Sequence, residues 1–433
     1  MGRPFGFAAC VLGLAIALAG GADAESPNNP AIGLYRLSDA REIYVEYLPD
    51  IDGLVMVDFP SGRVRPLARS ADGAFSFGPR IGAGEPVVAT FTLDSDLMSW
   101  REAGRVSTGR KIAFRTEDVS FQSGEVRLAG TLTLPRGSGP FPAVVLMHGG
   151  GAQTRDFFWI PHFFASRGLA VLAYDKRGVG ASTGDWRTSS NADLAGDALA
   201  GVEWLRARSD IRANRIGLYG SSAGGWTAPM AAARAPNRIA FVIARSASAL
   251  PERANVIYEI EGDLRSAGFG DDEVAAMRRV HELALGASDA QSWERFREGL
   301  ASIRGAPWFR LVRLPADLPA WNDAARHGEV EGFIATLRRD ASDPLASWRQ
   351  LSMPILIQEG GLDRYVPGPL STELLRTALS RNHAAHVVLY PRGDHPMFES
   401  SDGYPRSIPA ASRYAEGYLT DLDAFARRMT RSR

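Results

Sequence analysis

Cysteine is almost absent from this chain of 433 residues: the only one is Cys10, close to the N-terminus. A chain with a single cysteine forms no internal disulfide and cannot build a thiolate metal site. Cys10 also lies inside a segment that we expect to be removed from the mature protein. The mature chain is therefore expected to have no disulfide, no thiol nucleophile and no thiolate-bound metal.

Neither sign of charge is in excess, since 49 Lys and Arg residues balance 49 Asp and Glu residues. A protein that binds nucleic acid or an anionic membrane usually carries a clear excess of basic residues. We therefore expect no nucleic-acid partner. Lysine is scarce, with only Lys111 and Lys176 among the basic residues, and this bias alone supports no functional conclusion.

No apolar run reaches the roughly 20 residues that a membrane-spanning helix needs. The run Phe5 to Ala19 follows Arg3 and precedes the segment Gly20-Gly21-Ala22-Asp23-Ala24. A positive residue, a short apolar run and an A-x-A site predict a secretory signal peptide, residues 1–24, cleaved after Ala24. The alternative is an uncleaved N-terminal anchor. We expect an exported protein, periplasmic or extracellular, without a membrane span in the mature chain.

Residues 30–115 show the alternation of polar and apolar residues that is typical of strands. Examples are REIYVEYL (Arg41–Leu48), GLVMVDF (Gly53–Phe59), GRVRPLAR (Gly62–Arg69) and PVVATFTL (Pro86–Leu93). Short strands separated by turn signals, without helices, predict a small antiparallel sandwich or barrel. We expect a β-rich accessory domain, with a supporting role and ligand binding both open.

From residue 116 the pattern changes to apolar runs that alternate with helical stretches. Six runs are apolar throughout, as strands buried on both faces of a parallel sheet should be: Ala143–His148, Leu169–Tyr174, Arg215–Tyr219, Ile239–Ala244, Pro354–Gln358 and His386–Tyr390. A hairpin, Asp118–Pro135, precedes them. The alternation predicts an α/β fold with a doubly wound sheet, and we assign residues 116–249 and 351–433 to this catalytic domain.

One connection in this pattern, residues 250–350, is too long to be a loop. Apolar residues recur there at helical spacing: Val330, Phe333, Ile334 and Leu337 in one group, and Trp293, Phe296 and Leu300 in another. We therefore predict an inserted helical cap.

The pentapeptide G-x-S-x-G occurs twice, around Ser182 and around Ser222. Ser222 directly follows the apolar run Ile216–Tyr219 and precedes a stretch of helix formers, which is the context of a nucleophile on a sharp strand-to-helix turn. The pentapeptide around Ser182 is separated from the nearest apolar run by DKRGV and is followed by polar residues. We interpret Ser222 as a nucleophile and Ser182 as a loop hydroxyl that bonds to backbone groups.

A serine nucleophile needs a base and an acid that orients the base, and both should follow strands at the carboxyl edge of the sheet. His395 follows the last predicted strand, whereas His383 and His386 precede it and His162, His281 and His327 lie in helical regions. Glu359 and Asp363 both follow the preceding strand. We favour Asp363, because the extra loop residues would bring its carboxylate to an imidazole. Asp394, beside the base, is interpreted as structural.

Two backbone N–H groups should stabilise the developing oxyanion. Ala223, directly after the nucleophile, provides one candidate. The other comes from the glycine-rich segment His148-Gly149-Gly150-Gly151, where glycine lets the main chain approach a substrate closely. Gly150 is our candidate, although the register could differ by one residue. His148 is interpreted as a residue that orders this loop.

The order of Ser222, Asp363 and His395, with HGGG upstream and GSSAG at the turn, resembles the α/β-hydrolase superfamily. The segment YDKRGVGAST (Tyr174–Thr183) is similar to the loop after the next strand in that superfamily, and the likeness extends from about Asp118 to the C-terminus. With the β-rich segment in front, the chain is similar to exported acyl esterases and peptidases. The resemblance implies a Ser222, Asp363, His395 triad, an oxyanion hole at Gly150 and Ala223, no metal and no cofactor.

The aromatic and acidic residues of the predicted cap bear on the substrate class. Cap aromatics could line an acyl pocket or form the core of the cap itself: Trp293, Trp308, Phe309, Trp321 and Trp348. A peptidase that holds a free amine would need acidic groups, for which the cap offers Glu259, Glu261 and Asp263. We favour hydrolysis of a carboxylic ester, with a serine peptidase of the aminopeptidase or dipeptidyl-peptidase type as the alternative. A binding protein on a hydrolase fold is a third possibility. The partner is then a small-molecule or peptide acyl substrate, and nothing indicates the oligomeric state.

Overall fold

A computed structural model describes residues 29–48, 53–69, 75–77, 87–92, 96–314, 318, 321, 323, 343–403 and 413–431. The predicted signal peptide, residues 1–24, lies outside the described residues. So do His327 and the group with helical spacing formed by Val330, Phe333, Ile334 and Leu337.

The first sheet contains nine antiparallel strands in the order β4-β3-β2-β1-β9-β8-β7-β6-β5. The strands are β1 (Gly33–Leu37), β2 (Glu42–Leu48), β3 (Gly53–Asp58), β4 (Val64–Pro66), β5 (Ala68–Arg69), β6 (Phe75–Phe77), β7 (Val87–Thr92), β8 (Leu97–Glu102) and β9 (Arg105–Lys111). Every strand pairs with its neighbour along the chain, apart from β4 with β5, and β9 returns to pair with β1.

The two edges of this sheet are joined through one residue. Leu67 alone separates β4 from β5, which lie at opposite ends of the strand order. The Leu67 N–H still donates to the Leu54 carbonyl of β3 at 2.8 Å. The sheet must therefore curl round on itself, and buried side chains such as Tyr35, Met56 and Trp100 form one cluster within it. Of the two predicted architectures, the barrel-like one is observed and the sandwich is not.

The second sheet has eight strands in the order β10-β11-β13-β12-β14-β15-β16-β17. The strands are β10 (Arg115–Ser123), β11 (Val126–Leu134), β12 (Phe141–Met147), β13 (Ala170–Tyr174), β14 (Ile211–Ser221), β15 (Val242–Arg245), β16 (Ile355–Gly360) and β17 (Ala385–Tyr390). The predicted hairpin is β10 and β11, and it joins the sheet by antiparallel pairing of β11 with β13. The remaining neighbours pair in parallel, which confirms the doubly wound sheet.

The helices in this part of the chain are α1 (Ile160–Ser166), α2 (Asn191–Arg206), α3 (Gly224–Arg234), α4 (Glu252–Ser266), α5 (Asp271–Gly286), α6 (Ala290–Ile303), α7 (Leu345–Trp348), α8 (Gly368–Ala378) and α9 (Tyr418–Arg431). All of these except α4, α5 and α6 pack against the two faces of the second sheet. Side chains of α2, α3, α7 and α8 share one hydrophobic cluster with the sheet, and those of α1 and α9 share another. Successive residues of β12 alternate between the clusters, with Val145 in one and Val144 and Leu146 in the other, as the strand geometry requires.

The curled sheet and the α/β sheet share a hydrophobic core through α1. The Phe59 ring lies edge-on to the rings of Trp159 and Phe163, at centroid distances of 5.5 and 5.1 Å. At the margin of this contact, the buried side chains of Arg167 and Glu42 form an ion pair at 2.5 Å. The β-rich unit is thus packed firmly against the face of the α/β sheet that carries α1 and α9.

The cap consists of α4, α5 and α6, followed by a short 3-10 helix at Phe309–Val312. It has its own core, which contains Trp293, Phe296 and Leu300 of α6 together with Trp308. The predicted helix is confirmed at α6. Trp348, in contrast, lies on α7 and packs in the main core beneath the α/β sheet, so it does not line a pocket in the cap.

Candidate active site

Ser222 stands on the sharp turn between β14 and α3. Its φ of 56° lies in the left-handed region, which few residues other than glycine adopt. A Cβ at Gly220 would collide with the Gly224 carbonyl, and one at Gly224 would lie 3.0 Å from the Met147 carbonyl. Both glycines of the pentapeptide are therefore required by close backbone approach. The Ser222 N–H donates to the Arg245 carbonyl at 2.8 Å, which fixes the turn to the neighbouring strand.

The structure brings together the three side chains that the sequence predicts. His395, in the loop after β17, has Nε2 3.0 Å from Ser222 Oγ. Its Nδ1 lies 2.8 Å from Asp363 Oδ2. The three residues come from the ends of three strands, at the carboxyl edge of the sheet. They form a continuous hydrogen-bond chain from carboxylate to imidazole to hydroxyl.

Asp363 is buried, and both of its oxygens have partners. Oδ2 faces His395, while Oδ1 accepts from the backbone N–H groups of Tyr365 at 2.8 Å and Val366 at 2.9 Å. The Tyr365 ring also lies against the imidazole, with centroids 5.0 Å apart. The loop thus holds the carboxylate and the imidazole in one orientation.

Glu359, the other candidate acid, is fully buried within β16. Its Oε1 accepts from the Ala247 N–H at 2.9 Å, and among the described residues Oε2 has no partner. Burial raises the pKa of Glu359 well above its usual range, which favours the neutral form. Because its carboxyl bonds to the Ala247 backbone, whereas His395 Nδ1 bonds to Asp363, Glu359 does not orient His395.

The glycine-rich loop after β12 lies beside the nucleophile. A Cβ at Gly149 would be 3.3 Å from Ser222 Cβ, and the Gly149 N–H already donates to Gln153 Oε1 at 2.8 Å. Within the described parts of the chain, the N–H groups of Gly150 and Ala223 donate to no protein acceptor. His148 packs against the rings of Phe157 and Tyr174, both at 5.0 Å. Burial lowers the pKa of His148 to about 3, so the ring is neutral.

The other serine and histidine residues considered from the sequence lie apart from the hydrogen-bond chain of Asp363, His395 and Ser222. Ser182 is buried, with Oγ donating to the Asp175 carbonyl at 2.7 Å and accepting from the Ala129 N–H at 2.9 Å, as predicted for a loop hydroxyl. His386 lies in β17 itself rather than before it, at the end of the strand opposite to His395. His162 lies on α1. His281, on α5, bonds to the Val312 carbonyl through Nε2 at 2.8 Å.

Two residues that the sequence reasoning missed hold the loops of the site together. Ser246 Oγ donates to the His395 carbonyl at 2.6 Å. Arg245 donates from Nη2 to Ser221 Oγ at 2.5 Å and from Nη1 to the Pro396 carbonyl at 3.4 Å. Both follow directly on the buried part of β15. Polar residues at the carboxyl edge of the sheet were the signal in the sequence that could have identified them.

Helix α4 of the cap lies over the acid loop. The Tyr258 hydroxyl donates to the Asp363 carbonyl, and Asn255 Nδ2 donates to the Tyr365 carbonyl, both at 2.9 Å. Glu259 of the same helix forms an ion pair with Arg313 at 2.6 Å and accepts from Asn255 at 3.0 Å. The polar face of α4 therefore borders the site, whereas Trp293 and Trp308 lie in the core of the cap.

Asp394 carries a buried carboxyl beside His395, with Oδ1 accepting from the Phe398 N–H at 2.7 Å. Burial raises the pKa of the Asp394 carboxyl to about 7. Because the pKa of Asp394 is higher in the folded state than in the unfolded state, the contribution of this carboxyl to stability is largest at low pH and is lost as pH rises towards 7. The free energy of unfolding of Asp394→Asn should therefore rise relative to that of the wild type by roughly 1 to 3 kcal/mol between pH 5 and pH 8. Denaturant titrations of both proteins at the two pH values measure this; a constant difference would contradict it.

In the ranges that the structure describes, no group of three or more His, Cys, Asp or Glu side chains is arranged to hold a metal ion. In those same ranges, no helix combines the length and apolar character needed to cross a membrane.

The nucleophile turn at the carboxyl edge of a doubly wound sheet, with a histidine and an acid from the following strands, defines an α/β-hydrolase of the serine hydrolase class. Residues 123–391 match the X-Pro dipeptidyl-peptidase (S15) family. Because this match spans more than half of the chain, the protein belongs to that family.

Similarity to two esterases covers shorter segments. Esterase EstD of Thermotoga maritima is 32% identical over 148 residues, which cover 32% of this chain and 34% of EstD. Esterase FrsA of Escherichia coli is 33% identical over 87 residues, covering 19% of this chain and 21% of FrsA. The chain thus spans about a third or less of the length of these relatives.

The chain is also similar to solved structures, among them one esterase and one protein with bound ferulic acid. The Pyrococcus furiosus esterase Pf2001 has a TM-score of 0.44 at 17% identity, covering 73% of this chain and 91% of that structure. Est1E from Butyrivibrio proteoclasticus, solved with ferulic acid bound, has a TM-score of 0.41 at 18% identity, covering 72% of this chain and 96% of that structure.

Proposed function

We propose that this protein hydrolyses carboxylic esters through an acyl-enzyme formed on Ser222. The observation that carries the proposal is the chain of hydrogen bonds from Asp363 to His395 to Ser222, with links of 2.8 and 3.0 Å. Such a chain removes the proton from a serine hydroxyl that is otherwise a poor nucleophile at neutral pH.

In the proposed reaction, Ser222 Oγ attacks the ester carbonyl while its proton passes to His395 Nε2. The carbonyl oxygen becomes an oxyanion, which the N–H groups of Gly150 and Ala223 stabilise. Collapse of this intermediate breaks the ester bond, and His395 gives its proton to the departing alcohol. Water then attacks the acyl-enzyme, again losing a proton to His395, and the acid is released with Ser222 restored.

An ester is favoured over a peptide with a free amino terminus because of the cap. The acidic residue of α4 that borders the acid loop, Glu259, is already bonded to Arg313 and to Asn255. A carboxylate that is already paired with a guanidinium attracts a substrate ammonium group less strongly than an unpaired carboxylate would. Membership of the X-Pro dipeptidyl-peptidase family supports the second candidate, a serine peptidase.

The test is a panel of p-nitrophenyl esters beside aminoacyl and X-Pro p-nitroanilides, with labelling by a fluorophosphonate probe in parallel. We expect labelling and turnover of esters, with anilides at least about 100-fold slower in kcat/KM. Faster turnover of an X-Pro anilide would establish the peptidase. Absence of labelling and of all turnover would refute a serine hydrolase and favour a binding protein.

We also propose export, supported by the charged residue, apolar run and A-x-A site within residues 1–24. N-terminal sequencing of the protein from the periplasm and the medium of an expressing bacterium should find Glu25 as the first residue. Full-length protein confined to the cytoplasm would contradict this proposal.

A further inference from the structure

Lys176 is a buried lysine in a chain that uses arginine for nearly every other basic position. Only 4% of its surface is exposed. Among the described residues no carboxylate lies within 4.0 Å of its ammonium group, so burial is not offset by a salt bridge. An ammonium group without an anionic partner is costly to bury, and it persists only where other contacts hold it.

Those contacts are two carbonyl groups of the glycine-rich loop beside Ser222. Lys176 Nζ donates to the Gly149 carbonyl at 2.5 Å and to the Gly151 carbonyl at 2.8 Å. Its backbone N–H donates to the carbonyl of Gln153, whose side chain holds the Gly149 N–H. Lys176 and Gln153 therefore both hold the loop, and they also bond to each other.

The contact with Gly149 determines where the next N–H points. The carbonyl of Gly149 and the N–H of Gly150 belong to one planar trans peptide, so they point in opposite directions. Since the carbonyl faces Lys176, the N–H of Gly150 faces away from it. The charge on Nζ also polarises this peptide, which makes the N–H a stronger donor.

We propose that Lys176 is a positioning residue that aims the Gly150 N–H at the oxyanion and strengthens it as a donor. This inference rests on the proposed serine hydrolase mechanism, in which that oxyanion forms. Lys176 itself does not contact the substrate: its action passes through the 149–150 peptide.

Few charged groups surround the ammonium. Glu252, on α4, is the carboxylate whose charge acts on it, and the neighbouring His148 is neutral. Asp175 is bonded to Arg155 at 2.9 Å. The Trp186 ring lies 5.7 Å from Nζ. Burial lowers the pKa of Lys176 to about 8. The ammonium is charged below this pH and loses its charge as pH rises through it.

The test compares the wild type with Lys176→Met and Lys176→Arg, using Lys111→Met as the matched control. Lys111 is the other lysine of the chain and lies on the curled sheet. Values of kcat and KM for a p-nitrophenyl ester are measured from pH 6 to 9.5, with the Ser222→Ala protein as the blank for spontaneous hydrolysis.

We expect Lys176→Met to lose about 100-fold in kcat at pH 7 with KM changed less than about twofold, as for loss of an oxyanion donor. The wild type and Lys111→Met should lose activity above about pH 8, and Lys176→Met should lack this alkaline decline. Lys176→Arg should not restore kcat, because a planar guanidinium cannot replace a compact ammonium between two carbonyls.

Retention of kcat within about threefold in Lys176→Met would overturn the inference, and so would a wild-type rate that does not fall between pH 7 and 9.5. The second measurement needs no variant, so it applies even if Lys176→Met does not fold. Failure of the proposed function has a different signature, namely a wild type that neither turns over esters nor reacts with a fluorophosphonate.

Discussion

Replacement of Ser222 by alanine should lower kcat/KM for a p-nitrophenyl ester by about 10⁴- to 10⁶-fold. It should also abolish labelling by a fluorophosphonate. The hydroxyl oxygen is the atom that would bond to the acyl group, and His395 Nε2, 3.0 Å away, is placed to take its proton. Alanine keeps the φ of 56° no less easily than serine, so the turn should keep its conformation.

The matched control is Ser182→Ala, which changes the serine of the other pentapeptide. Ser182 Oγ bonds to the Asp175 carbonyl and the Ala129 N–H, both buried. Its loss should therefore lower the free energy of unfolding by about 1 to 3 kcal/mol, while kcat/KM stays within about threefold. An inactive Ser182→Ala with an active Ser222→Ala would show that the nucleophile has been assigned to the wrong serine.

The core of the fold could be predicted because buried parallel strands leave a simple pattern. Runs such as Leu169–Tyr174 are apolar throughout since both faces of the sheet are covered, and the structure places β13 there. The candidate site followed from the same pattern: Asp363 and His395 each follow a strand whose carboxyl end had to lie near Ser222.

Features set by long-range packing could not be predicted in this way. The curling of the first sheet depends on Leu67 pairing with β3 while the next residues pair with β6. Trp348 has the same local sequence character as the cap tryptophans, yet it packs beneath the α/β sheet. The roles of Lys176 and Arg245 depend on which carbonyl groups lie within reach, and a single sequence carries no such information.

The acid assignment leads to the second large effect, that of Asp363→Asn. We expect kcat for an ester to fall by about 10⁴-fold with little change in KM. Two backbone N–H groups, those of Tyr365 and Val366, require an acceptor at the position of Oδ1. An asparagine must therefore place its oxygen there and turn its NH₂ group towards His395.

An NH₂ group only donates, so His395 Nδ1 would have to accept and its proton would move to Nε2. A protonated Nε2 cannot take the proton of Ser222, although every group stays in place. Glu359→Gln is the matched control: burial favours the neutral form of Glu359, whose Oε1 accepts from the Ala247 N–H, so its amide replacement should keep kcat within about threefold. Steady-state kinetics of both variants, with thermal unfolding to verify folding, measures the effect. A large loss of kcat in Glu359→Gln, with Asp363→Asn still active, would show that Glu359 and not Asp363 orients His395.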